Sequence, residues 1–187
     1  LLKEYVIKFP TEITVTQALL TLKEIAVEKN SVEQFSIWIK SRGLSSISEL
    51  EIEKASIDAI EKLLNQKKEK QLKKALDNYI KNYPNGLDIK RISYLLGEIL
   101  YTNKIWDQSI LNFKRVVSGP RNNYSEKSIV RICQSLIELD NNSEAAIFLE
   151  RLENSAEANE NLIYAVSNLM RISYQDKRYD KVIIYGE

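Results

Sequence analysis

The sequence predicts an all-α protein, built as a right-handed superhelical solenoid of helix hairpins. Apolar residues recur at helical spacing almost throughout the 187 residues, and alternation with a period of two is hard to find. The chain has only five Gly and three Pro, too few for the many turns of an all-β protein. One hairpin cannot bury its apolar face alone, so each needs neighbours of the same kind.

The helices follow one another with short connections. Leu1–Phe9 reads as the tail of a helix that Pro10 ends. The later helices are predicted over Thr11–Lys29, Val32–Lys40, Ser48–Gln66, Leu72–Asn82, Leu87–Tyr101, Trp106–Val117, Ser125–Leu139, Glu144–Glu153, Asn159–Tyr174 and from Asp180 onward. Ser31 and Ser48 each begin a capping-box pattern, and Ser143 is a candidate N-cap. Connections of two to six residues favour antiparallel neighbours.

In pairs, these helices make five hairpins in a single array over 1–187, at about 11–43, 48–84, 87–120, 125–157 and 159–187. The segment Lys104–Ile110 aligns with Lys177–Ile183, two periods later. The chain begins without Met and stops inside a helical pattern. We therefore expect a fragment of a longer protein, with the last hairpin truncated.

The hairpin over 87–120 resembles the tetratricopeptide repeat (TPR). Leu96 and Gly97 match its Leu-Gly pair, and Ser109 matches the small residue of its second helix. Phe113 matches the aromatic position that follows, and Pro120 falls within one residue of the closing proline. The two helices should cross closely at Gly97 and Ser109, where a large side chain would push them apart. The corresponding residues of two other units are assigned as Cys133, Ala145 and Leu149, and as Leu63, Ala75 and Tyr79.

The segment Lys74–Gly86, which ends in Tyr-Pro-Asn-Gly, carries a more specific resemblance than the repeat pattern does. It resembles segments of TPR-containing envelope proteins of the Bacteroidetes, in which a helix ends at an aromatic-Pro-Asn-Gly break. This resemblance implies a non-catalytic scaffold in the periplasm or the cell envelope.

The composition argues against catalysis and against a cofactor or metal. There is no His, which removes the commonest general base and metal ligand. The one cysteine, Cys133, lies in an apolar run and is expected to be buried. Carboxylate pairs such as Glu49 and Glu53 are expected on solvated helix faces. No Gly-rich phosphate loop is present.

Nucleic acid and membrane-spanning functions are also disfavoured. The net charge is +1, and the basic cluster Lys67–Lys74 is diluted by Glu69. No apolar stretch approaches the roughly 18 residues that a membrane span needs. We therefore expect a protein or peptide as partner, with the oligomeric state open.

In TPR stacks, the first helix of each hairpin lines an inner groove. By helical spacing, the residues predicted to face that groove are Arg91, Tyr94, Glu98, Tyr101, Lys127, Gln134, Glu138, Tyr164, Arg171 and Tyr174. Tyr and Arg commonly anchor interfaces. Tyr94, Tyr101 and Tyr174 could equally fill gaps between hairpins. The aromatic residues Trp106 and Tyr179, at one repeat position, favour packing between hairpins.

The favoured function is a non-catalytic scaffold that binds a peptide or partner protein along this groove, in the cell envelope. Two alternatives remain. The chain could be a structural spacer or oligomerisation segment of a larger protein, or the TPR sensor domain of a cytosolic regulator.

Overall fold

The computed structural model of the chain describes residues 1–9, 14–44 and 46–186, which form eleven α-helices and no β-strand. The helices are α1 Leu2–Lys8, α2 Thr14–Glu28, α3 Val32–Ser41, α4 Glu49–Asn65, α5 Glu69–Asn82, α6 Ile89–Thr102, α7 Trp106–Val117, α8 Ser125–Glu138, α9 Asn142–Glu153, α10 Asn159–Gln175 and α11 Tyr179–Gly186. The predicted all-α class is confirmed. Pro10, Thr11 and Glu187, on which predicted boundaries fall, lie outside the described residues.

The helices form two compact units, Leu1–Asp88 with α1–α5 and Ile89–Glu187 with α6–α11. Within each unit, every helix packs against the next one along the chain. Each unit has buried apolar side chains from several helices, such as Leu19 and Phe35 in the first and Phe113 and Leu149 in the second. The single array over 1–187 stays a prediction.

The turn inside every hairpin is built in the same way. In each of these turns, one of the residues that follow the first helix has a left-handed backbone, with φ between 51° and 60°. These residues are Asn30, Lys67, Lys104, Asp140 and Lys177. They lie 37, 37, 36 and 37 positions apart. The next N–H bonds to the carbonyl five residues back, as from Ile105 to Leu100 at 2.9 Å, which is the Schellman arrangement. The chain therefore repeats about every 37 residues, and we count repeat positions from this turn residue.

Replacing Lys104 by Gly is expected to raise the free energy of unfolding by about 0.5–1 kcal/mol. At a φ of 58°, a side chain with a Cβ is strained by about 1–2 kcal/mol. The larger unfolded-state entropy of Gly offsets part of the gain. Urea denaturation measures the difference. Lys104→Ala keeps the Cβ and is the matched control, so an equal gain for Ala would contradict the strain argument.

Some predicted helix starts and caps were wrong in detail. α5 begins at Glu69, three residues before the predicted Leu72. α9 begins at Asn142, and its N-cap is Asn141, whose side chain accepts from the Glu144 N–H at 3.3 Å; Ser143 is already helical. Ser31 makes no side-chain cap bond. In α3 and α9 the Schellman turn fixes the helix start. The capping box at Ser48 and Glu51 is present.

The close helix crossing predicted at Gly97 is present. The Ser109 hydroxyl donates to the Gly97 carbonyl at 3.1 Å, and both residues are buried. A Cβ built on Gly97 would lie 2.7 Å from the ring of Phe113. No side chain fits between α6 and α7 at this point.

The alignment predicted for α4 and α5 was wrong by three residues. Counted from the turn residues, the positions of Gly97, Ser109 and Phe113 fall on Ile60, Leu72 and Leu76. All three are buried. They replace the assigned Leu63, Ala75 and Tyr79. Ala75 instead lies at position +8, eight residues after its turn residue.

One charged side chain in each of α4, α6 and α8 holds the segment at the end of its hairpin. Glu53, Lys90 and Glu126 all lie fourteen residues before their turn residue. Glu53 accepts from the Leu87 N–H at 2.6 Å, and Glu126 accepts from the Ala158 N–H at 3.1 Å. The Lys90 ammonium donates to carbonyls at the end of α7. The acids therefore satisfy N–H groups at helix starts, and the lysine satisfies C=O groups at a helix end.

Glu53 corrects a prediction, because the sequence assigned it to a solvated face. It is 9% exposed and accepts from the Tyr79 hydroxyl at 2.5 Å. Burial and this hydrogen bond raise the pKa of Tyr79. A Cβ on Gly86 would lie 2.5 Å from the Glu53 carboxylate. The Tyr-Pro-Asn-Gly break therefore ends in Gly because the chain passes close to this buried pair.

Glu126 should make stability fall with acid. Burial raises the pKa of this carboxyl, but hydrogen bonds from Asn161 and two backbone N–H groups, with the charge of Arg121, lower it to a net value below its ordinary 4.5. Because the pKa of Glu126 is lower in the folded than in the unfolded chain, its ionised carboxylate stabilises the fold. This stabilisation is complete above the unfolded-state pKa and is lost as the pH falls through the folded-state pKa.

The measurement is urea denaturation between pH 7 and pH 3 for the wild type and Glu126→Gln. The variant should be less stable at pH 7, and its deficit should shrink as pH falls. Glu138→Gln, on the exposed end of the same helix, is the control. A deficit that is constant with pH would contradict the assignment.

Candidate functional site

Four of the predicted groove residues lie on α6. Arg91, Tyr94, Glu98 and Tyr101 are spaced by three and four residues and share one helix face. Each is half-buried, whereas Leu96 between them is buried. The side chains of this face are therefore available both to neighbouring helices and to solvent.

An ion pair joins this face to α8. The Arg131 Nε lies 2.8 Å from the Glu98 Oε1, and Lys127 Nζ lies 3.9 Å from the other carboxylate oxygen. Arg131 was missed by the sequence analysis. Its position was detectable, since it lies four residues after Lys127 and three before Gln134 on the same helical stripe.

Tyr101 lies at the centre of this network. Its hydroxyl donates to Gln134 Oε1 at 3.0 Å, and Arg131 Nη1 donates to the same oxygen at 3.1 Å. The Arg131 guanidinium also lies 4.3 Å from the centre of the Tyr101 ring, a cation–π distance. Hydrogen bonds to Glu98 raise the pKa of Arg131. Tyr101, Arg131 and Gln134 are thus held in one arrangement.

The half-buried Tyr94 side chain packs against other aromatic rings. Its ring stacks on Tyr124 at 4.9 Å and lies 6.0 Å from Phe113. Lys127 Nζ lies 5.6 Å from the ring centre. Removing Tyr94 would therefore disturb the core beneath the face.

The third group of predicted residues lies on α10. Tyr164 is half-buried, and burial raises its pKa; Cys133 and Tyr101 are among its electrostatic neighbours. Arg171 and Tyr174 are exposed, Tyr174 by 64%. Tyr101 and Gln134 are hydrogen-bonded, and Tyr164 packs against the same core cluster as Tyr101. Glu138 lies exposed at the end of α8.

Trp106 and Tyr179 each contact an aromatic ring within their own hairpin. Trp106 meets Tyr101 edge-on at 5.2 Å, and Tyr179 meets Tyr174 in the same way at 6.0 Å. The repeated aromatic therefore joins the end of each first helix to the start of its second helix.

The cysteine and the carboxylates are the remaining candidates for reactive or metal-binding groups. Cys133 is buried, and burial raises the pKa of its thiol to about 12, so the thiol is protonated at neutral pH. No group of three His, Cys, Asp or Glu side chains within the described ranges could hold a metal ion. Among the helices of this part of the chain, none is long and apolar enough to cross a lipid bilayer.

Solved structures share this fold. A structure of MamA from MSR-1 has a TM-score of 0.51 and 9% identity, covering 92% of this chain and 92% of that one. The MamA RS-1 ArsTM double mutant has a TM-score of 0.50 and 12% identity, covering 91% and 89%. A Q17M crystal structure of the nearly identical TPR-like repeats of a putative kinesin light chain from Podosopora anserina has a TM-score of 0.50 and 9% identity, covering 90% of each chain.

No protein-family model and no curated protein matches the sequence. The structural likenesses, at this identity, establish the fold. The chain is an all-α solenoid of TPR-type helix hairpins, and the predicted fold class is confirmed.

Proposed function

We propose that this protein is a non-catalytic scaffold that binds a peptide or a partner protein on the face formed by α6, α8 and α10. The observation that carries the proposal is the hydrogen bond of Tyr101 on α6 to Gln134 on α8, with Arg131 held against the Tyr101 ring. Tyr164 on α10 packs against the same core cluster as Tyr101. Stacked hairpins create extended surfaces suited to protein binding. Ordered aromatic and Arg side chains bind with a small loss of conformational freedom.

The exposed residues Arg171 and Tyr174 are the best test of this face, because neither is buried in the core. A displayed peptide library is selected on the purified protein, and the recovered peptides are synthesised. Arg171→Ala and Tyr174→Ala should each weaken their binding at least tenfold. Ile147→Ala, which removes an exposed apolar side chain from α9, is the control. Equal binding by all variants would end the proposal.

The location in the cell envelope rests on the resemblance of Lys74–Gly86 to envelope proteins. It is tested by fractionating the cells that produce the protein. Recovery of the protein in the cytosolic fraction would favour the alternative, the sensor domain of a cytosolic regulator.

One observation favours the alternative role as an oligomerisation segment. Ile183 on α11 is 63% exposed, whereas Ile110, at the same repeat position, is 6% exposed. Light scattering across a concentration series tests this role. Concentration-dependent assembly that Ile183→Glu abolishes would support it, and a monomer at all concentrations would exclude it.

A further inference from the structure

The unit Leu1–Asp88 contains a cleft between α3 and α5 that is also lined by residues of α4. Its volume is about 460 Å³, within the range of roughly 300–1,000 Å³ that is typical of ligand pockets. Ala59 and Leu63 of α4, Val32 of α3 and Ala75 of α5 form its apolar part. This cleft lies on other helices than the face proposed above, so it would be a separate site.

In the unit Leu1–Asp88, position +8 carries an aromatic ring in α3 but not in α5, where the cleft lies. This position holds Trp38 in α3, Asn112 in α7, Phe148 in α9 and Tyr185 in α11. Trp38 lies under Lys3 of α1 at 5.0 Å, and Phe148 lies under Lys114 of α7 at 5.7 Å. These rings therefore fill the space toward the helix two elements earlier. In α5 the same position holds Ala75.

A second closing contact is also missing from the cleft. In the unit Ile89–Glu187, positions +10 and +4 of successive second helices carry opposite charges. Lys114 pairs with Glu144, and Glu150 lies 3.9 Å from Lys181. In α3 and α5 these positions hold Lys40 and Gln71, which cannot form an ion pair. Lys40 instead pairs with Glu49 at 3.2 Å.

The charges around the cleft favour an acidic ligand. Lys29, Lys68 and Lys74 line it, against Glu28 and Glu33. Glu28 is neutralised by Lys62 at 2.5 Å, and Glu33 accepts from Asn78 at 2.7 Å. Carboxylates entering the cleft would therefore meet a net positive rim.

We propose that this cleft binds a peptide segment of a partner protein that presents one aromatic side chain flanked by Asp or Glu. The aromatic ring takes the place that Phe148 and Tyr185 fill in the other unit. The flanking carboxylates lie against Lys68 and Lys74.

The test uses a fluorescent, end-blocked hexapeptide with one Phe between acidic residues, measured by anisotropy against the whole chain. The wild type should bind it saturably, and more weakly at high salt. Ala75→Phe fills the cleft and should reduce the affinity at least tenfold. Ala75→Ser leaves the cleft open and should retain it. The double variant Lys68→Glu, Lys74→Glu should also lose binding, without entering the core.

Three outcomes would overturn the proposal. The first is no saturable binding to the wild type. The second is equal binding by Ala75→Phe, shown by circular dichroism to be folded. The third is stronger binding of a single-stranded RNA oligonucleotide than of the peptide, which would assign the lysines to nucleic acid. The variants Arg171→Ala and Tyr174→Ala should bind the hexapeptide normally, which separates this site from the α6–α8–α10 face.

Discussion

Replacing Gly97 by Val is expected to lower the free energy of unfolding by about 3 kcal/mol. The Cβ would lie 2.7 Å from the Phe113 ring, and Phe113 is fully buried. The ring cannot move aside without disturbing its neighbours, and overpacking of this kind costs about 1–3 kcal/mol, occasionally more. Val has a slightly better helix propensity than Gly, which offsets only a small part of this loss. Urea denaturation monitored by circular dichroism measures the loss.

Replacing the Phe113 ring by a smaller side chain should relieve this clash. The double variant Gly97→Val, Phe113→Leu is expected to lose less stability than the sum of the two single variants, because the two sites share one contact. Ser93→Ala, a buried change on the same helix, controls for general sensitivity of α6. Additive effects of the two substitutions would show that the crossing of α6 and α7 does not set the cost.

Replacing Glu53 by Ala is expected to cost about 3 kcal/mol. The change leaves the Tyr79 hydroxyl and the Leu87 N–H without their shared carboxylate. A hydrogen bond to a charged group contributes roughly 1.5–3 kcal/mol to stability. A buried donor that is left without its partner destabilises the fold by about 1–3 kcal/mol. Denaturation at pH 7 gives the difference in unfolding free energy.

Two further variants separate this network from simple loss of packing. Glu53→Gln keeps an acceptor oxygen and should lose much less than Glu53→Ala. Gly86→Ala keeps the network but pushes a methyl group to within 2.6 Å of the Tyr79 hydroxyl, and it should be destabilising as well. Asp58→Ala, on the exposed face of α4, is the control. A loss for Glu53→Ala no greater than for Asp58→Ala would contradict the account.

The sequence contained enough to locate the helices and the tight crossing at Gly97 and Ser109. Both follow from local information, since apolar spacing and small residues at a fixed separation predict how two adjacent helices pack. The alignment failed for α4 and α5, where Ile60 and Leu72 stand in place of small residues. With no Gly or Ala marking the crossing, the residue types gave no register. The left-handed turn residues do define the register. Lys67 and Lys104, however, are not residue types that predict a left-handed backbone.

The site was harder to predict, because its contacts join residues far apart in the chain. Arg131 meets Glu98 across 33 positions, and Glu53 meets Leu87 across 34. The spacing of carboxylates on α4 is like that of a solvated helix, and only the contacts of Glu53 with Tyr79 and Leu87 show that it is buried. The cleft at Ala75 had no signal in the sequence at all. It is defined by comparison with Phe148 and Tyr185, which requires the correct repeat register.

The near-constant spacing of the left-handed turn residues limits how a gene of this kind can change in length. An insertion or deletion of one whole period leaves every remaining turn residue at a helix end. Adding one residue inside a helix rotates everything after it by about 100° and moves its apolar stripe off the core. Natural variants should therefore differ by duplicated or lost blocks of about 37 residues. Single-residue insertions should be confined to linkers such as the one between α7 and α8.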